Sequence, residues 1–184
     1  MNPWKLPKEA VICGTRYRIH TDFREILEIL GYLDDPDMTE YVRWRVALAL
    51  FFDGEMPPEH YGEAMGYLAE FISYDTGEAR SAHKLLDWQQ DAGVIIADVN
   101  KVAGKEIRDV EYIHWWTFLS WFKAIGEGQL CTLVTIRDKR KKGKKLEKWE
   151  EEYYRANKSR VDLKTRYSAE DLAEQQRLNA LLGE

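Results

Sequence analysis

The chain has 184 residues, of which 45% are hydrophobic, 12% are aromatic and 32% are charged, and its formal net charge at pH 7 is −5. This length predicts one domain with a sizeable core, since a chain of about 150 residues buries roughly two-thirds of its unfolded surface. The sequence has no run of about 18 uncharged apolar residues and no apolar stretch near its start, which argues against a transmembrane helix and a secretory signal. We therefore expect a cytosolic protein that does not bind membranes.

The first predicted elements are a short β-hairpin and a helix. Residues 10–20 have β-favouring side chains on both sides of a Gly-Thr pair, which predicts two short antiparallel strands. Thr21 and Asp22 are suitable N-caps, and the apolar residues that follow recur at helical spacing until Gly31. We expect the first helix to end at that glycine.

Three more helices are predicted in the middle of the chain. The second begins at Thr39 and ends at the Asp-Gly and Pro-Pro pairs of residues 53–58, and the third spans residues 59–74. One long helix, bent near Gly93, is expected over residues 81–102. The second helix has one broad apolar stripe, formed by Tyr41, Trp44, Leu48, Phe51 and Phe52.

Residues 111–125 form the most aromatic predicted helix, which is apolar around most of its circumference. Such a helix is buried or contacts a partner, and aromatic side chains suit an interface because they bury a large area at small entropic cost. We expect one stripe to face the core and the other, with Phe118 and Trp121, to contact a partner or a second copy of the chain. The alternative is that all of its large rings lie in the core. The candidate partner-binding residues are Trp115, Trp116, Phe118 and Trp121.

The C-terminal part of the chain is predicted to be helical and highly charged. A short helix is expected over residues 129–136, a charged helix over residues 146–156, and a terminal helix that begins with a capping box of Ser168 and Asp171. The elements together predict a mainly α fold, a single-domain helical bundle with a short N-terminal β-hairpin and a charged C-terminal helical extension. The terminal helix would include Leu172, Leu178, Leu181 and Leu182.

The densest charge lies in residues 137–148, which include eight basic and two acidic side chains. Such a segment attracts phosphates, so a nucleic-acid-binding protein is an alternative function class. Three consecutive glutamates at residues 150–152 cancel much of this field, which favours an exposed charged connector. We therefore divide the chain into residues 1–136, a helical core domain with the hairpin, and residues 137–184, a basic linker with a charged helical extension. The basic residues are Arg137, Lys139, Arg140, Lys141, Lys142, Lys144, Lys145 and Lys148.

Local motifs for catalysis or cofactor binding are absent from the sequence. It has no P-loop and no GxGxxG turn, and its four histidines form no local metal-binding pair. The aspartates of residues 34–37 lack the glycine and terminal glutamate of a calcium loop, so we assign them to a turn. His114 is a lone histidine beside two tryptophans and is expected to be a hydrogen-bonded core residue, while Cys13 and Cys131 are expected to be buried thiols. These patterns predict a non-enzymatic protein without a metal or cofactor.

Several short segments, in this order, resemble a known family. They are T-D-F-R at residues 21–24, F-F-D-G-E-M-P-P at residues 51–58, I-R-D-V-E-Y-I-H-W-W at residues 107–116, and a second I-R-D before the lysine-rich stretch. Over roughly residues 6–167 the chain is similar to small phage proteins named after gene product fifteen, which occur in long-tailed phages and prophages of Gram-positive hosts. Y-I-H-W-W is the most specific motif. The matching positions are Asp22, Phe23, Arg24, His114, Trp115 and Trp116.

In genomes that encode this family, the gene typically lies between those of the major tail protein and the tape-measure protein. The resemblance therefore implies a tail-assembly chaperone without catalytic residues, which binds the tape-measure protein in the host cytoplasm and is absent from the finished virion. The tail-tube protein and a second copy of the chain are further implied partners, whereas a membrane and nucleic acid are not expected to be partners. A tape-measure protein is long and largely helical, so we expect its chaperone to cover apolar stripes by helix-in-groove binding.

Overall fold

The computed structural model describes residues 4–74, 84–164, 167–171, 173 and 176. The fold is mainly α-helical with a two-stranded antiparallel hairpin near the N-terminus, as predicted. Short 3-10 turns occur at Pro58–His60 and Ile107–Asp109. The strands are β1 (Glu9–Ile12) and β2 (Thr15–Arg18), and the α-helices are α1 (Phe23–Leu33), α2 (Glu40–Phe51), α3 (Tyr61–Ile72), α4 (Ala92–Ala103), α5 (Trp115–Lys123), α6 (Gln129–Lys141), α7 (Lys148–Ala156) and α8 (Lys158–Val161).

The hairpin confirms the expectation from the β-favouring segment. Ile12 pairs with Thr15 around a two-residue turn of Cys13 and Gly14. Both turn residues have positive φ, 48° and 78°, which the twist of a two-residue hairpin requires. Because Cys13 lies at this turn it is exposed, and Cys131 is exposed on α6, so the prediction of buried thiols is wrong.

Helices α1 and α2 begin at the predicted N-caps and pack against each other. The side chains of Asp22 and Thr39 each accept a hydrogen bond from a backbone N–H in the first turn of the helix that follows, at 2.9 and 3.4 Å. α1 continues through the predicted stop at Gly31 and ends at Leu33. Leu33 packs against the core, and this packing outweighs the cost of about 1 kcal/mol that glycine has in a helix.

The third predicted helix is confirmed as α3, but the long helix predicted over residues 81–102 is wrong in its first half. Residues 84–87 have no regular secondary structure, residues 88–91 form a turn, and α4 begins only at Ala92, while residues 81–83 lie outside the described residues. The Asp87 carboxylate accepts hydrogen bonds from the backbone N–H groups two and three residues later, at 3.0 and 2.8 Å. Such local side-chain bonds offer the backbone an alternative to the helix.

The chain beyond the predicted domain boundary packs onto the same core. α6 crosses that boundary and runs to Lys141, and Val161 in α8 is fully buried. The helix predicted over residues 146–156 is confirmed as α7. The capping box of Ser168 and Asp171 is confirmed by reciprocal hydrogen bonds of 3.0 and 3.1 Å. The leucines of the predicted terminal helix, Leu172, Leu178, Leu181 and Leu182, lie outside the described residues.

Candidate partner-binding surface

Helix α5, which contains the aromatic motif, lies inside the fold against α1 and α4. Trp115 and Trp116 are 1% and 3% exposed. Their indole N–H groups donate hydrogen bonds to the backbone carbonyl oxygens of Ile72 and Phe71, at 3.1 and 3.0 Å. A buried indole needs such an acceptor, so both tryptophans are core residues and not the partner-binding residues that were predicted.

Phe118 and Trp121, which were expected to face a partner, differ in exposure. Phe118 is 1% exposed, and its ring stacks on that of Phe23 with the centroids 4.7 Å apart. Trp121 is half-buried, and the Lys105 ammonium lies 5.5 Å from its ring centroid. Of the four candidate partner-binding residues, Trp121 alone is partly open to solvent, because packing within the core surrounds the other three. The expectation that α5 presents an aromatic stripe to a partner is corrected accordingly.

The loop before α5 pairs with the chain before α1. Phe23 donates its backbone N–H to the carbonyl oxygen of Ile113 at 2.9 Å, and Asp22 and His114 form an antiparallel bridge. Residues 111–114 are not helical, so the helix predicted from residue 111 begins four residues later, at the first residue of α5. The pairing is non-local, and helical periodicity alone does not reveal it.

His114 is buried at this junction, and both of its ring nitrogens are hydrogen-bonded. Nδ1 accepts from the backbone N–H of Trp116 at 3.1 Å, and Nε2 donates to the carbonyl oxygen of Pro7 at 3.0 Å. Burial lowers the pKa of His114 from its usual 6.5; the bond to Pro7 opposes this shift and the Lys8 charge adds to it. The neutral ring caps the N-terminus of α5, so the expected role as a hydrogen-bonded core residue is confirmed.

Arg24 completes the junction by holding the loop that leads to α5. Its guanidinium donates hydrogen bonds to the carbonyl oxygens of Val110 and Glu111 and pairs with the Asp22 carboxylate at 2.9 Å. The positions that match the family motifs therefore meet in one place and bond to one another or to the core, which indicates a role in folding. We call this set the motif junction: Asp22, Phe23, Arg24, His114, Trp115 and Trp116.

An open cavity of about 1280 Å³ lies beside the motif junction. Its lining has both signs of charge, from residues such as Lys8, Arg18, Glu25 and Glu111. Among the described residues there is no group of three or more His, Cys, Asp or Glu side chains that could hold a metal ion. In the same part of the chain, no helix combines the length and the apolar character that a membrane span requires.

Arg137, the first of the eight basic residues, is buried and does not face solvent. It is 4% exposed and forms a bidentate ion pair with Asp91, at 2.6 and 2.8 Å. Its N–H groups also donate to the carbonyl oxygens of Leu85, Arg160 and Val161. Arg137 therefore joins α6 to α8 and to the turns before α4, and it does not belong to an exposed basic linker.

The other basic residues of the segment divide into free and paired cations. Lys141, Lys144, Lys145 and Lys148 are exposed and have no acidic partner within the described chain. Four exposed charges attract phosphates weakly compared with the eight that the sequence suggests. The remaining three are neutralised by ion pairs: Lys139 with Glu150 at 2.7 Å, Lys142 with Asp138 at 2.8 Å, and Arg140 with Asp162.

An apolar groove lies open between α2 and α3. Tyr41, Trp44 and Leu48 line it from α2, where they are spaced i, i+3 and i+7, and Tyr61 and Met65 line it from α3. The groove encloses about 360 Å³, and Tyr41 is 67% exposed. We call these five residues the α2–α3 groove. Exposed apolar surface of this kind, with charged residues beside it, is typical of a protein-binding site.

The α2–α3 groove continues into a second cavity of about 580 Å³. The two cavities share Arg45, Leu48 and Tyr61, and the second extends to Met56. Val42 adds exposed apolar surface on another side of α2. The open apolar surface of α2 therefore consists of several side chains and not of one isolated residue.

The α2–α3 groove is not among the sequence predictions, although α2 gives a signal for it. Its broad stripe includes the buried Phe51 and Phe52 but also the exposed Tyr41. Val42 and Leu50 are exposed apolar residues that lie off the stripe. A single core contact requires apolar residues on only one side of a helix. Because α2 has apolar residues on further sides as well, its sequence indicates a second contact surface.

A sequence model of the family described as bacteriophage Gp15 protein matches residues 5–163 of the chain. The match confirms the family resemblance inferred from the motifs, and it includes the hairpin, the motif junction and the α2–α3 groove. No curated protein and no solved structure matches the chain.

Proposed function

Since the chain belongs to the bacteriophage Gp15 protein family, we propose that it is a non-enzymatic tail assembly chaperone that binds the tape-measure protein. The family match over residues 5–163 is the observation that supports this function most strongly. The family match supports the coarser statement of a phage structural or assembly-related protein, and we propose that its partner is a tail component.

The α2–α3 groove supports this proposal on physical grounds. A tape-measure chaperone must cover the apolar stripes of a long helical client before the tail tube encloses it. The groove offers aromatic and apolar surface for such a stripe, and Met56 and Met65 supply unbranched side chains that adapt to different partners. Because the rings of α5 are mostly core residues, the contact surface that we assign to the client is on α2 and α3 instead.

We also propose where and when the chain acts. The chain would act in the host cytoplasm during tail assembly and would be absent from the mature virion. The tail-tube protein and a second copy of the chain are further partners in this account. No metal or cofactor takes part, since covering a client needs only complementary surface.

A nucleic-acid-binding function through residues 137–148 has less support. Arg137 is buried and three of the other basic residues are paired with acidic side chains. The four exposed lysines would give an affinity that falls with salt, because each neutralised phosphate adds about −0.7 to −0.9 to the slope of log K against log salt. Retention of a duplex or single-stranded oligonucleotide at 200 mM salt would favour this alternative.

Deletion of the gene in its own phage or prophage tests the proposed function. We expect the deletion to abolish complete tails, and a plasmid copy to restore them, while a plasmid copy with an early stop codon does not. Mass spectrometry should detect the chain in the lysate and not in purified virions. Normal tails without the chain, or the chain as a stoichiometric part of the virion, would contradict the proposal.

A further inference from the structure

Arg45 lies in the α2–α3 groove among aromatic rings. Its guanidinium carbon is 5.8 Å from the ring centroid of Tyr41 and 5.3 Å from that of Tyr61. Nη1 also donates a hydrogen bond to the Tyr41 hydroxyl at 3.0 Å. Within the described part of the chain, Arg45 has no carboxylate partner. The groove therefore presents a cation whose acidic partner is not supplied by these residues.

A cation in an apolar groove specifies the chemistry of the partner. A carboxylate would form charge-assisted hydrogen bonds with Arg45, and apolar side chains beside it would cover Trp44 and Met65. An amphipathic helix with one acidic residue next to its apolar stripe supplies both. Glu40 also lines the groove but forms no ion pair with Arg45 in the described part of the chain, so the Arg45 cation still needs a carboxylate from the partner.

The dimensions of the groove agree with a helical partner. α2 has 12 residues and is about 18 Å long at 1.5 Å per residue. Tyr41, Trp44 and Leu48 have the i, i+3, i+7 spacing that the apolar anchors of a partner helix also have. The groove runs along α2 from Tyr41 to Leu48, so about two turns of that helix would lie in it.

We infer that the α2–α3 groove binds one amphipathic helix of the client protein that has an acidic residue beside its apolar stripe. Its apolar anchors contact Tyr41, Trp44 and Met65, and an Asp or Glu side chain of the client pairs with Arg45. The identity of the client as the tape-measure protein rests on the proposed function, whereas the chemistry of the bound helix is argued from the groove alone.

Co-expression of the full chain with the tagged tape-measure protein from the same genome tests this inference. Arg45→Glu is expected to lower the amount of chain that co-elutes with the tag about tenfold, because it replaces an attraction by a repulsion. Tyr41→Ala should lower it severalfold, because the most exposed ring of the groove is lost. Circular dichroism and thermal melting of each free variant show whether the fold is intact.

Two variants outside the groove are the matched controls. Lys144→Glu reverses an exposed cation in the basic segment, and Trp149→Ala removes an exposed aromatic ring from α7. Both are expected to co-elute like the wild type. An Asp→Arg or Glu→Arg substitution in the client helix should restore binding to the Arg45→Glu chain, which would support the predicted pair directly.

The outcomes separate the inference from the proposed function. Wild-type co-elution with unchanged co-elution of Arg45→Glu and Tyr41→Ala overturns the inference and leaves the chaperone function supported. Failure of the wild type to co-elute overturns both. If Arg45→Glu instead converts a dimer of the free chain to a monomer on a sizing column while client binding is unchanged, the groove binds a second copy and the inference is wrong.

Discussion

The Asp22 carboxylate accepts a hydrogen bond from the backbone N–H of Ile113 at 3.0 Å, which joins two segments 91 residues apart. Its other oxygen accepts from the backbone N–H of Arg24 at 2.9 Å and caps α1. One side chain thus fixes the start of α1 against the loop that leads into α5. Two of the motifs that indicate the family, at residues 21–24 and 107–116, are therefore the two halves of one junction.

Asp22→Ala is expected to lower the free energy of unfolding by about 2–3 kcal/mol, because it removes a helix cap and leaves the Ile113 N–H without its acceptor. Urea denaturation followed by circular dichroism measures this change. Asp53→Ala is the control, since Asp53 is exposed, and it should cost less than about 0.5 kcal/mol. Equal stability of the two variants would show that the junction contributes little.

Arg137→Met is expected to destabilise the protein by about 3–5 kcal/mol, because it leaves the Asp91 carboxylate buried without its partner. The double variant Arg137→Met with Asp91→Leu should recover part of this loss, since no buried charge remains. Lys141→Met is the matched control for an exposed cation of the same segment and should be nearly neutral. Similar chemical denaturation midpoints for Arg137→Met and Lys141→Met would contradict the burial of this pair.

Gly128→Ala is expected to destabilise the start of α6 by about 1–3 kcal/mol. A Cβ at this position would lie 2.6 Å from Asp98 Oδ2, the oxygen that accepts the backbone N–H of Leu130 at 2.9 Å. Gly126→Ala adds the same methyl group where nothing lies within 4 Å, so it should change stability by less than about 0.5 kcal/mol. Thermal melting of the two variants provides the comparison, and an equal effect on both would disprove the close contact.

Stability should fall on acidification because the folded protein holds His114 neutral. Burial lowers the pKa of His114 from 6.5, so the unfolded chain takes up this proton at a higher pH than the folded chain does. The contribution is complete above about pH 6.5 and is lost progressively as the pH falls toward the folded-state pKa. Denaturant unfolding at pH 7.5 and pH 5 should show this loss, and His114→Gln should show a smaller one. An NMR titration that gives His114 a pKa above 6.5 would contradict the account.

Local signals predicted several elements correctly. The hairpin follows from β-favouring residues around a turn, and the caps Asp22 and Thr39 mark helix starts because their side chains bond to nearby backbone N–H groups. The core position of His114 follows equally from its apolar neighbours. In each of these cases the deciding interaction lies within a few residues or depends only on burial.

The errors arose where a distant contact decides the structure. The sequence places Arg137 in a basic segment that was predicted to be exposed. The side chain is buried because it pairs with Asp91, 46 residues earlier. The aromatic rings of α5 were predicted to contact a partner, but the neighbouring helices cover Phe118. The α2–α3 groove was missed because a stripe that is half core and half surface has the same periodicity as a stripe that is all core.

The most direct test of the account is the soluble yield of the tape-measure protein from the same genome, expressed with and without this chain. We predict that the chain increases the soluble yield and co-elutes with the tape-measure protein on a sizing column. A folded chain that neither raises the yield nor co-elutes would contradict the proposed chaperone function.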